Sequence, residues 1–176
     1  MKQQVILLNG PSSSGKSTVA KALRELILAK RGERYAVVSI DDFLPMTAQD
    51  AIYEDDVFAV SPALCAAVVQ ALRTGDGVIV DHVITSQRIF EQLTDSLGEH
   101  PLRLIRITCP PTVLRERETA RGDRCPGSAE ASAAWLFPKE GYDLTVDTHG
   151  ATAEDCAARI FAYCFAEHRE DGRNRT

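Results

Sequence analysis

Val5-Ile6-Leu7-Leu8-Asn9-Gly10-Pro11-Ser12-Ser13-Ser14-Gly15-Lys16-Ser17-Thr18 decides how the chain is read. The apolar run Val5 to Leu8 has the length and character of a strand buried on both faces. Gly10 to Ser17 fits G-x-x-x-x-G-K-[ST], the phosphate-binding loop or P-loop. Small residues there let successive backbone N–H groups turn inward around a polyphosphate, and the helix expected from Lys16 adds its positive dipole end. Gly10, Pro11, Ser12, Ser13, Ser14, Gly15, Lys16, Ser17 and Thr18 are therefore the expected nucleotide contacts. Lys16 would reach the β- and γ-phosphate oxygens. Ser17 would ligate a Mg²⁺ that bridges them, since Mg²⁺ takes one or two protein oxygens besides phosphate and water.

Outward from the loop, strand and helix alternate. The pattern predicts a helix from Lys16 to about Lys30 closed by Gly32, a strand over Tyr35 to Ile40, and a poorly periodic segment from Phe43 to Pro62. Pro62 is expected in the first turn of the next helix. Val78 to Asp81 reads as a buried strand, Ser86 to Leu97 as a helix, Leu102 to Thr108 as a strand and Thr112 to Ala120 as a charged helix. A weakly apolar segment runs through Trp135, then a short strand, Leu144 to Asp147, and a closing helix. Such alternation implies an α/β fold, a P-loop NTPase with a parallel sheet covered by helices on both faces. One domain over residues 1–170 is expected, with a lid near 117–140 and a frayed tail over 171–176.

Composition narrows the class. A chain of 176 residues that is 44% hydrophobic can bury one sizeable core, and a net charge of −5 lacks the basic footprint of a nucleic-acid binder. Five cysteines without a C-x-x-C pair point to reduced thiols, mostly core filler. No apolar run approaches a membrane span and the first strand begins almost at once, so a cytoplasmic protein without a membrane partner is expected.

Ligands of such a sheet sit outside the carboxyl ends of its strands, a rule that selects Asp41, Asp42 and Asp81 beside the P-loop. Asp41 is the candidate general base, ending a strand expected to neighbour the P-loop strand, with Asp42 as alternative. Asp81 either supports Mg²⁺ or bonds the P-loop hydroxyls. Arg117, Arg121 and Arg124 would share a helix face and close over phosphates, with Gly122 as a hinge; the plainer reading is a solvated face paired with Glu116, Glu118 and Asp123. His82 reads as a hydrogen-bonded structural residue. Asp147-Thr148-His149 occupies the loop where an adenine ring could rest.

Val5 to Thr18, Asp41, Val78 to Asp81, Arg117-Glu118-Thr119-Ala120-Arg121-Gly122-Asp123-Arg124, Gly141-Tyr142-Asp143 and Val146-Asp147-Thr148 together resemble the chloramphenicol phosphotransferase-like kinases. The resemblance spans nearly the whole chain. It implies an adenylate/shikimate-kinase-like core, ATP·Mg²⁺ as donor, and a small hydroxylated acceptor such as chloramphenicol or a related antibiotic. It also implies an aspartate base at Asp41 and lid arginines at Arg121 and Arg124. A nucleoside, nucleotide or shikimate-type kinase, and a P-loop ATPase or switch, are the alternatives. Oligomeric state is left open.

Overall fold

A computed structural model describes residues 3–47, 52–122 and 125–166. Five parallel strands, β1 (Val5–Asn9), β2 (Tyr35–Ser39), β3 (Gly77–His82), β4 (Leu102–Thr108) and β5 (Leu144–Asp147), form one sheet in the order β2-β3-β1-β4-β5. Six helices join and follow them: α1 (Lys16–Arg31), α2 (Glu54–Arg73), α3 (Gln87–Leu97), α4 (Pro111–Arg121), α5 (Ser128–Trp135) and α6 (Ala153–Cys164). This is the expected α/β architecture.

The strand order corrects one expectation. β2 does not neighbour the P-loop strand, because β3 lies between them. Burial explains the placement: every residue of β3 is buried, as a central strand requires, whereas Ala36, Val37 and Ser39 of β2 are half-exposed, which suits an edge. Parallel register brings Ser39 level with Asp81, Leu8 level with Asp81 and Asn9 level with His82. The carboxyl ends of three strands thus open at one level.

Alternate residues of the strands serve two cores. Val5, Leu7, Val78, Val80 and Leu104 pack under α2 and α3, while Ile6, Leu8, Ile79, Ile105 and Ile107 pack under α1 and α6. α1 ends at Gly32, whose φ of 66° and N–H bond to Leu28 O form the expected left-handed cap.

α2 departs from the sequence reading. Pro62 lies inside the helix, which begins at Glu54. Glu54, Asp55 and Asp56 fill its first turn, where negative charge meets the helix dipole, and Asp56 accepts a 2.8 Å bond from Tyr53 N. An internal proline costs about 3 kcal/mol. Val60, Leu64, Val68 and Leu72 are buried on one face, each contributing roughly 1.5–3 kcal/mol, so burial wins. With 20 residues, 18 consecutive ones of which reach a mean hydropathy of 1.4, α2 has the length and composition of a membrane span, contrary to the expectation that no segment approaches one. It packs here as a core helix against β2, β3 and α3. The segment before Trp135, expected to be only weakly apolar, is helix α5.

Candidate active site

The P-loop is held open by its own backbone. A side chain on Gly10 would place Cβ 2.3 Å from Ile107 O at the end of β4, so only glycine lets the strands meet there. Gly15, with φ of 89°, turns the loop into α1. Ser13 adopts φ of 62°, a conformation that costs a non-glycine residue energy and is concentrated at functional sites. Its buried hydroxyl has no hydrogen-bond partner among the described residues.

Lys16 is buried. Its Nζ donates to Pro11 O at 2.8 Å and to Ser14 Oγ at 3.4 Å, folding the ammonium across the loop. Ser17 Oγ donates to Asp81 Oδ2 at 2.6 Å, and Ser39 Oγ donates to the same oxygen at 3.3 Å. Of the two readings of Asp81, the geometry matches the carboxylate bonded to a P-loop hydroxyl. That bond directs the Ser17 proton toward Asp81 and leaves the hydroxyl lone pairs for another partner, so the donor set fits a cation carried by a polyphosphate.

Two clefts flank the loop. The larger, about 720 Å³, runs from Ser12, Lys16 and Ser17 past Asp41 and Asp81 to Trp135. The smaller, about 480 Å³, lies between Gly15, Thr18, Arg117, Thr148 and Thr152. Arg121 lines both. Asp41 faces the larger cleft, whereas Asp42 is exposed and does not line it. Asp41 N bonds Ser39 Oγ at 3.4 Å, which starts the 3-10 turn Ile40–Asp42.

Arg117 and Arg121 share α4 but differ in use. Arg117 Nη1 donates to Thr148 Oγ1 at 3.0 Å and to Ser14 O at 3.4 Å, and Nη2 donates to Thr148 O at 3.1 Å. Thr148 Oγ1 itself donates to Ser14 O at 2.8 Å. This network braces the back of the P-loop. Gly122 is a left-handed cap that ends α4, and Arg124 and Asp123 lie outside the described residues. Of the loop expected to meet adenine, Thr148 lines the smaller cleft and the exposed His149 does not.

Side chains that the sequence reading passed over support or line the larger cleft. Buried Asn9 donates from Nδ2 to Phe137 O and to Tyr142 Oη, both at 2.8 Å, and its Oδ1 accepts from Ile84 N at 3.0 Å. It ties the segment after α5 to the end of β3; a polar residue ending an apolar strand was the available signal. Ile40, Leu44, Val57 and Val83 give the cleft an apolar wall, and Tyr53 and Trp135 stand at its rim, 68% and 71% exposed. Glu54 lines it too, and its carboxyl is held below the usual range chiefly by Arg88, then by Ser86. Arg88 bridges Glu54 and Asp55 and covers the Phe58 ring.

His82 is fully buried and pushed down to about 4, by burial first, with Lys16 lowering it further against Asp41; it is neutral at physiological pH. A hydrogen bond with the Val83 backbone opposes that shift, in keeping with the expected bonded structural role, while Nδ1 has no hydrogen-bond partner among the described residues. Glu118 accepts three bonds from the start of α5. Of the cysteines, Cys65 and Cys156 are buried, but Cys125 is exposed and lines the larger cleft.

Comparison with known proteins agrees with this fold. The APS kinase of Mycobacterium tuberculosis, in complex with AMPPNP and APS, superposes with a TM-score of 0.75 at 15% identity, covering 93% of this chain and 98% of that one. A gluconokinase from Sinorhizobium meliloti 1021 gives 0.67 at 22% identity, covering 92% and 91%. The Deinococcus radiodurans tunicamycin resistance protein gives 0.66 at 20% identity, covering 93% and 96%. At these identities the likeness is one of fold. No curated protein matches. The family profile described as chloramphenicol phosphotransferase-like protein matches residues 3–164, and the chain belongs to that family.

Proposed function

We propose that the protein transfers the γ-phosphate of ATP to a hydroxyl of a small, uncharged molecule with an apolar body. One observation carries this reading: the P-loop and Asp41 line a single cleft, so a donor on the loop and an acceptor beside Asp41 would meet within it. Phosphoryl transfer asks the protein for little more than positioning and charge stabilisation.

ATP would lie with its base toward Arg117, Thr148 and Thr152 and its phosphates on Gly10 to Thr18, with Ser13 Oγ and the Lys16 ammonium directed at their oxygens. Ser17 would hold Mg²⁺ with Asp81 fixing its hydroxyl, and the ion would supply neutralising charge between the phosphates. Asp41 takes the proton of the acceptor hydroxyl as its oxygen attacks phosphorus, a contribution of about 10² to 10⁴ in rate. Arg121, at the junction of the clefts, meets the charge that develops on the transferring group, as Arg124 would if the lid near 117–140 closes.

The acceptor class is supported by the lining. The described cations of the larger cleft, Lys16 and Arg121, belong to its phosphate end, while the acceptor end presents Asp41, Glu54 and apolar side chains. Carboxylate or phosphate-bearing acceptors would meet like charge there. The test is incubation with γ-labelled ATP and two panels of alcohols: neutral amphipathic ones, chloramphenicol included, and anionic ones such as shikimate, gluconate and nucleoside monophosphates. Label in the neutral panel is expected. Label confined to the anionic panel would overturn the acceptor class, and ATP hydrolysis without any transfer would overturn the kinase reading.

A further inference from the structure

The carboxylate of Glu118 performs a task outside the phosphotransfer machinery. It sits on α4 between Arg117 and Arg121 in sequence, and it is only 6% exposed. Both oxygens are used. Oε1 accepts from Ser128 Oγ at 2.7 Å and from Ala129 N at 2.8 Å; Oε2 accepts from Gly127 N at 2.8 Å. These donors are the opening groups of α5. The N-cap residue of that helix is Gly127, which has no side chain to satisfy them. A carboxylate from a neighbouring helix supplies the cap instead, where the dipole of α5 favours negative charge. The Ser128 hydroxyl first, and then the backbone N–H groups of Ala129 and Gly127, hold Glu118 below the ordinary carboxylate range against the effect of burial.

A second link between the helices, Arg115 to Glu130 at 3.8 Å, is exposed on both sides and of the kind that contributes little. Burial therefore singles out Glu118. What α5 carries gives the contact its importance. Ser132 Oγ accepts from Ser12 N in the P-loop at 3.0 Å and donates to Ala129 O at 2.9 Å. Ser128, Ala131 and Trp135 of the same helix line the larger cleft. One buried carboxylate thus connects the helix bearing Arg121 to the helix that touches the P-loop and walls the acceptor.

We propose that Glu118 is a positioning residue that fixes α5 to α4, so that nucleotide on the P-loop is felt at Trp135 through Ser12, Ser132 and the clamped helix. The proposal extends the phosphotransfer reading, but its test needs neither acceptor nor turnover, so each can fail alone.

Trp135 is the only tryptophan, so fluorescence reports α5 without labelling. The measurement is acrylamide quenching of Trp135, without and with a saturating non-hydrolysable ATP analogue plus Mg²⁺, together with calorimetric affinity for that analogue. In the native protein the analogue should change the quenching constant. Glu118→Gln replaces one acceptor oxygen with an NH₂ that faces donors. It should make Trp135 more quenchable and abolish the nucleotide-dependent change, while analogue affinity stays within about threefold, since no phosphate contact is touched. Glu118→Ala should do the same. Amide exchange at Gly127 and Ala129 should be slow in the native protein and about tenfold faster or more in Glu118→Gln, the factor expected when backbone donors lose a charged partner.

Variants that melt lower yet keep the native Trp135 response would reduce Glu118 to ordinary helix stabilisation and overturn the proposal. Loss of analogue binding together with the response would also overturn it, because the residue would then act on the nucleotide directly. Should both variants fail to fold, native exchange at Gly127 and Ala129 as fast as in an open chain would refute the clamp. Ser128→Ala, which removes one of the three donors, should give an intermediate Trp135 response.

Discussion

The two clefts share the P-loop but are built from different materials. The smaller is tied to backbone: Arg117 and Thr148 both donate to Ser14 O, and Thr148 N bonds Thr108 O at 3.0 Å. Its shape follows from the side chains of Arg117 and Thr148 anchored on main-chain carbonyls. The larger is built from side chains at the ends of separate elements, Asp41 after β2, Val83 and Thr85 after β3, Tyr53 before α2 and Trp135 at the end of α5. A wall of that kind changes with single substitutions while the fold stays. Such a division suits the proposed transfer from ATP to a separate acceptor.

The sharpest way to break the comparison is at the loop the clefts share. Lys16→Met replaces a cation that lies across the P-loop with an apolar chain of similar length, and turnover should fall by about 10³ or more whichever acceptor is used. Single-turnover transfer from labelled ATP measures it. Retention of a tenth of native turnover would mean that the loop does not clamp the transferring phosphate.

Asp41→Asn comes next in size and should separate the clefts. Turnover should drop about 10²-fold or more while ATP affinity hardly moves, because a base acts on the acceptor. Asp42→Asn should be mild, since that side chain does not line the cleft. A crippled Asp42→Asn with a mild Asp41→Asn would shift the base by one residue. Poor ATP binding by both would move these carboxylates to the donor side.

What the two clefts share, and the carboxylates of the larger one, are legible in sequence for a physical reason. The fold, the P-loop and the carboxylates at strand ends rest on periodicity and on a loop whose spacing is set by phosphate geometry, and those are local properties. Strand order is not local. β2 was expected beside β1, and only the complete burial of β3 decides otherwise. Pro62 misled because an internal proline is normally prohibitive, and the burial that outweighs it along Val60, Leu64, Val68 and Leu72 is a tertiary quantity. Glu118 and Asn9 were missed as site-builders because their partners, Gly127 to Ala129 and Phe137, Tyr142 and Ile84, meet them only in the fold. Trp135 looked like a weakly apolar position, and it becomes a cleft rim only once α5 is placed.

Substitutions of moderate effect then compare the clefts directly. Thr148→Val removes a hydroxyl that donates to Ser14 O at 2.8 Å and accepts from Arg117 at 3.0 Å. Leaving a backbone carbonyl and a guanidinium short of partners costs about 1–3 kcal/mol, so KM for ATP should rise roughly tenfold with KM for the acceptor unchanged.

Trp135→Ala is the mirror experiment on the other cleft and should have the smallest effect. With 71% of its surface exposed, Trp135 contributes little to the core, so its loss should leave the melting temperature nearly unchanged. What it offers is a flat apolar face at the acceptor rim, and packing one face of a bound molecule against it would bring about 0.5–1.5 kcal/mol. KM for a neutral amphipathic acceptor should therefore rise about threefold to tenfold, with kcat and KM for ATP unaltered. Trp135→Phe should restore most of the affinity, because it keeps an aromatic face. An equal loss for acceptors with and without an apolar body would show that the rim is a passive wall. A change in KM for ATP instead would show that α5 speaks to the donor side even without its terminal ring, and the separation of the two clefts would then end where Ser132 of α5 meets Ser12 of the P-loop.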